Sequence, residues 1–156
     1  MPKLLKFNEK ALKSLLKGVK ILGSAVGATL GPKGRHVMIK QLFGALLSTK
    51  DGQTVASEVI LKDKFENMGG ELIKEAALKT SKEAGDGTTT AIVLAEALVS
   101  EGIKKIFSGF SPSGLKRGMD LACQEILHTL LEMSKPVKAK AEIAQIASLS
   151  AGGDEA

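Results

Sequence analysis

Two glycines flank an aspartate in the run Gly85-Asp86-Gly87-Thr88-Thr89-Thr90, an arrangement able to hold a phosphate and a metal ion together. Glycines admit positive φ and let backbone amides approach an anion. The start of a following helix adds unpaired N–H groups and the positive end of its dipole, and three hydroxyls add donors. Asp86 is then placed to take magnesium, which is usually held by one or two carboxylates together with phosphate oxygens and water. Helix capping is the plain alternative, and it explains the glycine, the aspartate and a threonine one at a time. It does not explain three threonines in a row.

Two further clusters carry similar chemistry more weakly. Thr29-Leu30-Gly31-Pro32-Lys33-Gly34-Arg35 is a glycine-rich turn that exposes backbone to a ligand and brings two positive charges. Taken alone, a Gly-Pro pair there is more often just a helix stop. Thr49-Lys50-Asp51-Gly52 offers an ammonium and a carboxylate at a strand end, where a turn capped by Asp51 is the commoner meaning. Neither the P-loop pattern nor the dinucleotide-binding glycine pattern occurs. His36 and His128 lack metal-ligand spacing, and Cys123 reads as a small core residue.

The elements that must position these residues are mainly helical. From Asn8, a plausible N-cap, the apolar residues Leu12, Leu15, Leu16, Val19, Leu22, Val26 and Leu30 recur at threes and fours, predicting a helix of roughly 33 Å that Gly31-Pro32 stops. His36 to Lys40 and Leu46 to Thr49 flank Phe43-Gly44 and predict a small hairpin. A second long helix is expected from about Phe65 to Ala84, with Phe65, Met68, Leu72, Ile73 and Ala76 on its apolar side. A third runs from Thr88 to Phe107, where Ala91, Leu94, Ala95, Leu98, Val99, Gly102, Ile103 and Ile106 form a face broad enough for burial on more than one side. Ser111-Pro112 opens a fourth, along Leu115, Met119, Ala122, Ile126 and Leu130. A polar joint at Ser134 to Lys138 predicts a domain boundary, beyond which Ile143, Ile146 and Leu149 mark a shorter helix. This pattern leaves no room for a doubly wound parallel sheet.

Composition narrows the partners. The chain has 156 residues, 44% of them apolar, enough for one domain with a core. Its 22 basic and 17 acidic residues are interleaved, and with no Trp or Tyr and only 5 Phe there is little to stack on bases, so no nucleic-acid partner is expected. No stretch approaches the roughly 20 consecutive apolar residues of a membrane helix, so no membrane partner is expected either. A single cysteine and an opening MPKLLKFNEK without presequence character fit a cytoplasmic location.

Read in order, TLGPKGR at 29–35, TKDG at 49–52, KFENMGG at 64–70 and GDGTTT at 85–90 resemble the opening of group I chaperonins of the GroEL type. Leu115-Lys116-Arg117-Gly118 and the stretch from Ile146 to Asp154 extend the likeness over essentially the whole chain. The resemblance implies a helical bundle with a small hairpin: residues 1–134 as the N-terminal half of an equatorial ATP-binding domain, 135–156 as the start of an intermediate hinge domain, and no apical domain. It implies an ATP-dependent folding chaperone of the protein-folding isomerase class. Thr29, Leu30, Gly31 and Pro32 would wrap the nucleotide, Lys50 would lie by the phosphates, and Asp86 would ligate magnesium. Gly87, Thr88, Thr89 and Thr90 would cradle phosphate oxygens, and Asp51 would order the attacking water. Backbone oxygens near Thr29 and Lys50 are candidates for a potassium ion.

Family partners would be unfolded polypeptide clients, a lid co-chaperonin and further copies in a ring. The family's base- and ribose-gripping residues and its general-base aspartate are expected beyond Ala156, so this stretch by itself is expected to be an incomplete site with little hydrolysis. Leu46-Leu47-Ser48 and Ala151-Gly152-Gly153-Asp154 depart from the family pattern and suggest a diverged paralogue. Two other classes compete. One is a non-enzymatic helical oligomerisation or interaction module, built on the wide apolar faces. The other is an aspartyl phosphotransferase, which would need Asp86 at the end of a buried strand.

Overall fold

A computed structural model of the chain describes residues 3–41 and 44–151. Its elements run α1 (Asn8–Gly27), β1 (Val37–Lys40), β2 (Leu46–Thr49), α2 (Gly52–Glu58), α3 (Lys64–Ala84), α4 (Thr88–Phe107), α5 (Pro112–Met133) and α6 (Lys140–Ser150). The mainly α expectation with one small hairpin therefore holds. The strands pair antiparallel, with Val37 opposite Thr49 and Lys40 opposite Leu46. Phe43 of the expected connection lies outside the described residues, as do Gly152, Gly153 and Asp154 of the C-terminal departure.

Two compact units divide the chain, residues 1–109 and residues 110–156. In the first, Val19, Leu22 and Val26 of α1, Val55 and Ala56 of α2, Ile73 and Ala77 of α3 and Ile92 of α4 form one buried core. Val37 and Ile39 of the hairpin pack against it. The α1 stripe read from spacing is correct from Leu12 to Val26. Leu30 is not part of it, because the helix ends at Gly27 and leaves Leu30 exposed. The ending has a local cause: the Thr29 hydroxyl and amide both donate to the Val26 carbonyl, which draws the last turn tight. Asn8 is not the cap either. Phe7 occupies that position with no side-chain cap, and Asn8 itself has φ 55°.

The α3 face is rotated from its expected position. Met68 and Leu72 are exposed, while Gly69, Gly70, Ile73 and Ala77 are buried. The reason lies in backbone contact. A Cβ placed on Gly69 would fall 2.0 Å from the Leu15 carbonyl oxygen, and one on Gly18 would fall 1.7 Å from that of Glu66, so α1 and α3 touch through glycines. On α4, Leu94 and Leu98 are likewise exposed, and burial falls on Ile92, Ser100 and Ile103.

The second unit holds α5 and α6, neither with a buried residue. Ser111 caps α5 as expected, and Glu142 reaches back to the amides of Lys138 and Ala139 to start α6. Cys123, expected in a core, is exposed on α5. Among the described residues, no helix is long and apolar enough to cross a membrane.

Candidate functional site

Three helices solve the problem of the unpaired first-turn amides in one way and α4 in another. Asp51 caps α2, Asp63 caps α3 and Ser111 caps α5, each by accepting from backbone N–H groups. At α4 the cap position is Gly87, with φ 86° and no side-chain cap. The glycine before it in the connection, Gly85, is also left-handed at φ 77°. Only a residue without Cβ adopts such angles cheaply, and a glycine at the cap position brings no side chain of its own to the start of α4. Asp86 sits between them, its Oδ1 accepting the Gly87 amide at 2.6 Å. That bond holds a carboxylate at the positive end of the helix.

The three threonines divide their tasks. Successive helix residues point about 100° apart, so three hydroxyls in a row cannot all face one ligand, whereas their amides can. Thr88 is buried, Thr89 half-buried and Thr90 exposed. Thr89 meets the second loop directly: a Cβ on Gly52 would fall 2.1 Å from the Thr89 Oγ1, so α2 and α4 start against one another. Lys50 and Asp51, immediately before Gly52, are thereby brought to the first turn of α4.

The turn at 29–34 arrives at the same end by way of α1. Gly23 lies against the Glu96 side chain and Gly27 against Val93, so α1 and α4 run antiparallel and the exit of α1 approaches the entry of α4. Beyond the helix the chain folds back, with the Arg35 amide donating to the Ala28 carbonyl at 2.8 Å and Gly34 to Gly31 at 2.9 Å. Thr29 is buried beneath this turn, while Leu30, Gly31 and Pro32 are exposed.

Asp51 is held by three hydrogen bonds from α2. Its Oδ2 accepts from the Thr54 hydroxyl at 2.5 Å and the Thr54 amide at 2.8 Å, and its Oδ1 from the Gln53 amide at 3.3 Å. Burial pushes this carboxyl up, but the three hydrogen bonds outweigh burial and hold it below the usual carboxylate range. It is ionised at neutral pH. Helix α2 is the element that sequence reasoning missed, and Asp51 followed by the apolar pair Val55 and Ala56 was its only signal.

Among the described residues, no three His, Cys, Asp or Glu side chains converge to hold a metal by themselves. A single carboxylate at a helix start fits an ion that arrives with phosphate, as magnesium does. The TCP-1/cpn60 chaperonin family matches residues 22–156. The chain belongs to that family. Chaperonin GroEL 1 of Protochlamydia amoebophila (strain UWE25) is 60% identical to this chaperonin chain over 154 residues, 99% of the chain and 28% of the relative. A crystal structure of a group III chaperonin in the open state superposes with a TM-score of 0.78 at 33% identity, over 94% of this chain and 29% of that one. This chaperonin chain thus spans under a third of the length of either relative.

Proposed function

We propose that this chain forms the phosphate and metal half of a magnesium-ATP site in an ATP-hydrolysing chaperone subunit that assists protein folding. The observation that carries the reading is the contact of Gly52 with Thr89, which joins the Lys50-Asp51 loop to an uncapped helix start. Amides of the first turn of α4, with Gly87, Thr88, Thr89 and Thr90, cradle phosphate oxygens. Lys50 adds positive charge beside them, and Thr29, Leu30, Gly31 and Pro32 close over the nucleotide from the turn after α1. Asp86 is the protein ligand of magnesium, and the ion, when bound, neutralises charge on the phosphate oxygens. Asp51, ionised and fixed by Thr54, orients the attacking water. Backbone oxygens near Thr29 and Lys50 take a potassium ion.

As in the sequence reading, residues 1–134 belong to an equatorial domain and 135–156 to a hinge, within a homo-oligomeric ring in the cytoplasm. Unfolded polypeptide clients and a lid co-chaperonin are its partners. The aspartyl phosphotransferase alternative loses its support, since Asp86 follows a helix rather than a buried strand.

Isothermal titration with Mg-ATP tests the assignment, wild type against Asp86→Asn. Removing the carboxylate charge is expected to weaken binding by about tenfold or more, or ~1.4 kcal/mol. Equal binding by the two proteins removes Asp86 from the metal.

A further inference from the structure

A helix cap needs only backbone donors. The cap of α3 has that form: Asp63 accepts the amides of Phe65 and Glu66, both at 2.9 Å on Oδ1, and no side chain donates to it. Asp51 differs, because the Thr54 hydroxyl adds a third and shortest bond. The two carboxylate oxygens are thereby made unequal. Oδ2 takes two short bonds from one residue and has both lone pairs occupied, while Oδ1 takes only the 3.3 Å bond from Gln53 and keeps accepting capacity. The backbone beneath is pinned as well, since the Asp51 amide donates to the Thr49 hydroxyl at 3.0 Å and Gly52 is wedged on Thr89.

We infer that Thr54 is a positioning residue: its hydroxyl anchors Oδ2 of Asp51 so that Oδ1 is the oxygen presented to the attacking water at the start of α4. The inference rests on the magnesium-ATP reading and goes beyond it by separating the duties of the two oxygens. Valine has the shape of threonine without its hydroxyl, and serine keeps the hydroxyl without the methyl.

The test measures ATP hydrolysis by the full-length subunit carrying this chain, as wild type, Thr54→Val and Thr54→Ser. Thr54→Val is expected to lower kcat about tenfold, as misplacement of a water-orienting group does, while KM and Mg-ATP affinity stay within about twofold. Thr54→Ser recovers most of the loss. A readout independent of turnover is the Asp51 side-chain carboxyl followed by carbon-13 NMR in ligand-free protein. Its titration midpoint rises in Thr54→Val and returns in Thr54→Ser. An unmoved midpoint or an unchanged kcat overturns the inference. So does a joint loss of kcat, affinity and melting temperature that serine does not restore, which would assign Thr54 to packing alone. Failure of the underlying reading has another signature: wild-type protein that binds no Mg-ATP while the NMR midpoint still responds to Thr54, and the inference then falls with it.

Discussion

Replacing Gly52 by alanine presses on the contact that joins two of the three loops. The added Cβ would fall 2.1 Å from Thr89 Oγ1, 3.0 Å from its Cβ and 3.1 Å from its Cγ2. Turning Thr89 about χ1 can put its Hβ in place of Oγ1, but the 3.0 Å contact to its Cβ does not depend on χ1 and a β-branched residue has few other rotamers to use. The starts of α2 and α4 must therefore part by several tenths of an ångström. Two magnitudes oppose each other. Gly52 has no positive φ, so alanine there gains about 0.4–1 kcal/mol by restricting the unfolded chain. Overpacking costs about 1–3 kcal/mol, and the net expectation is a loss of about 1 kcal/mol. Urea denaturation followed by circular dichroism reads it as a lower midpoint at unchanged m. Thr89→Ala removes both Oγ1 and Cγ2, so on that background Gly52→Ala should lose most of its effect, giving a coupling energy of about 1 kcal/mol. Strict additivity of the two substitutions, or a Gly52→Ala protein at least as stable as wild type, would refute the close approach on which the site rests.

The seam between α1 and α3 makes a stronger prediction of the same kind: Gly18→Ala sets a Cβ 1.7 Å from a backbone oxygen that cannot rotate away, and should destabilise by about 3 kcal/mol or prevent folding. Thermal or urea unfolding measures it, and a loss below about 0.5 kcal/mol contradicts the helix contact. For Asp51 the folded carboxyl lies below its ordinary value of 3.8, so its stabilisation is present above that value and is lost as pH falls through the folded one. Asp51→Ala should therefore cost about 1 kcal/mol at pH 7, with the gap to wild type closing in acid below 3.8. A gap of constant size down to the acid unfolding limit would count against the ionised cap.

The long helices were legible because apolar spacing and breakers agree: Gly85 ends α3, and Ser111-Pro112 opens α5 just where the turn chemistry says. Helix α2 was not, since seven residues are too few for periodicity and its core residues Val55 and Ala56 are adjacent. The faces of α3 and α4 failed for a different reason. Hydrophobicity ranks Met68, Leu72, Leu94 and Leu98 above glycine, yet the inner sides of these helices meet α1 by close approach, at Gly69 from α3 and at Gly23 and Gly27 of α1. A glycine records such contact in the sequence only as a missing side chain. The large residues consequently stand on the outside, and the burial expected on a second side of α4 is not seen at Leu94 and Leu98.

For the site, the sequence held the three loops but not their meeting. Capping and ligand binding ask for the same residue types at the same places, and the spacing of Asp51 or of Asp86 cannot separate them. The two helix starts differ in what stands at the cap position. Asp51 caps α2, with backbone amides on both oxygens, whereas the cap position of α4 is held by a glycine with no side chain to offer. Gly87 in a left-handed conformation is what denies α4 the extended cap residue that Asp51, Asp63 and Ser111 provide elsewhere. A helix start whose cap position is a residue chosen for its backbone, and which Gly52 presses against a second loop, forgoes a side-chain cap from that position worth about 1 kcal/mol. On the proposed magnesium-ATP reading, an anion on these amides would return that stability and couple ligand binding to the local order of α4 at this one turn.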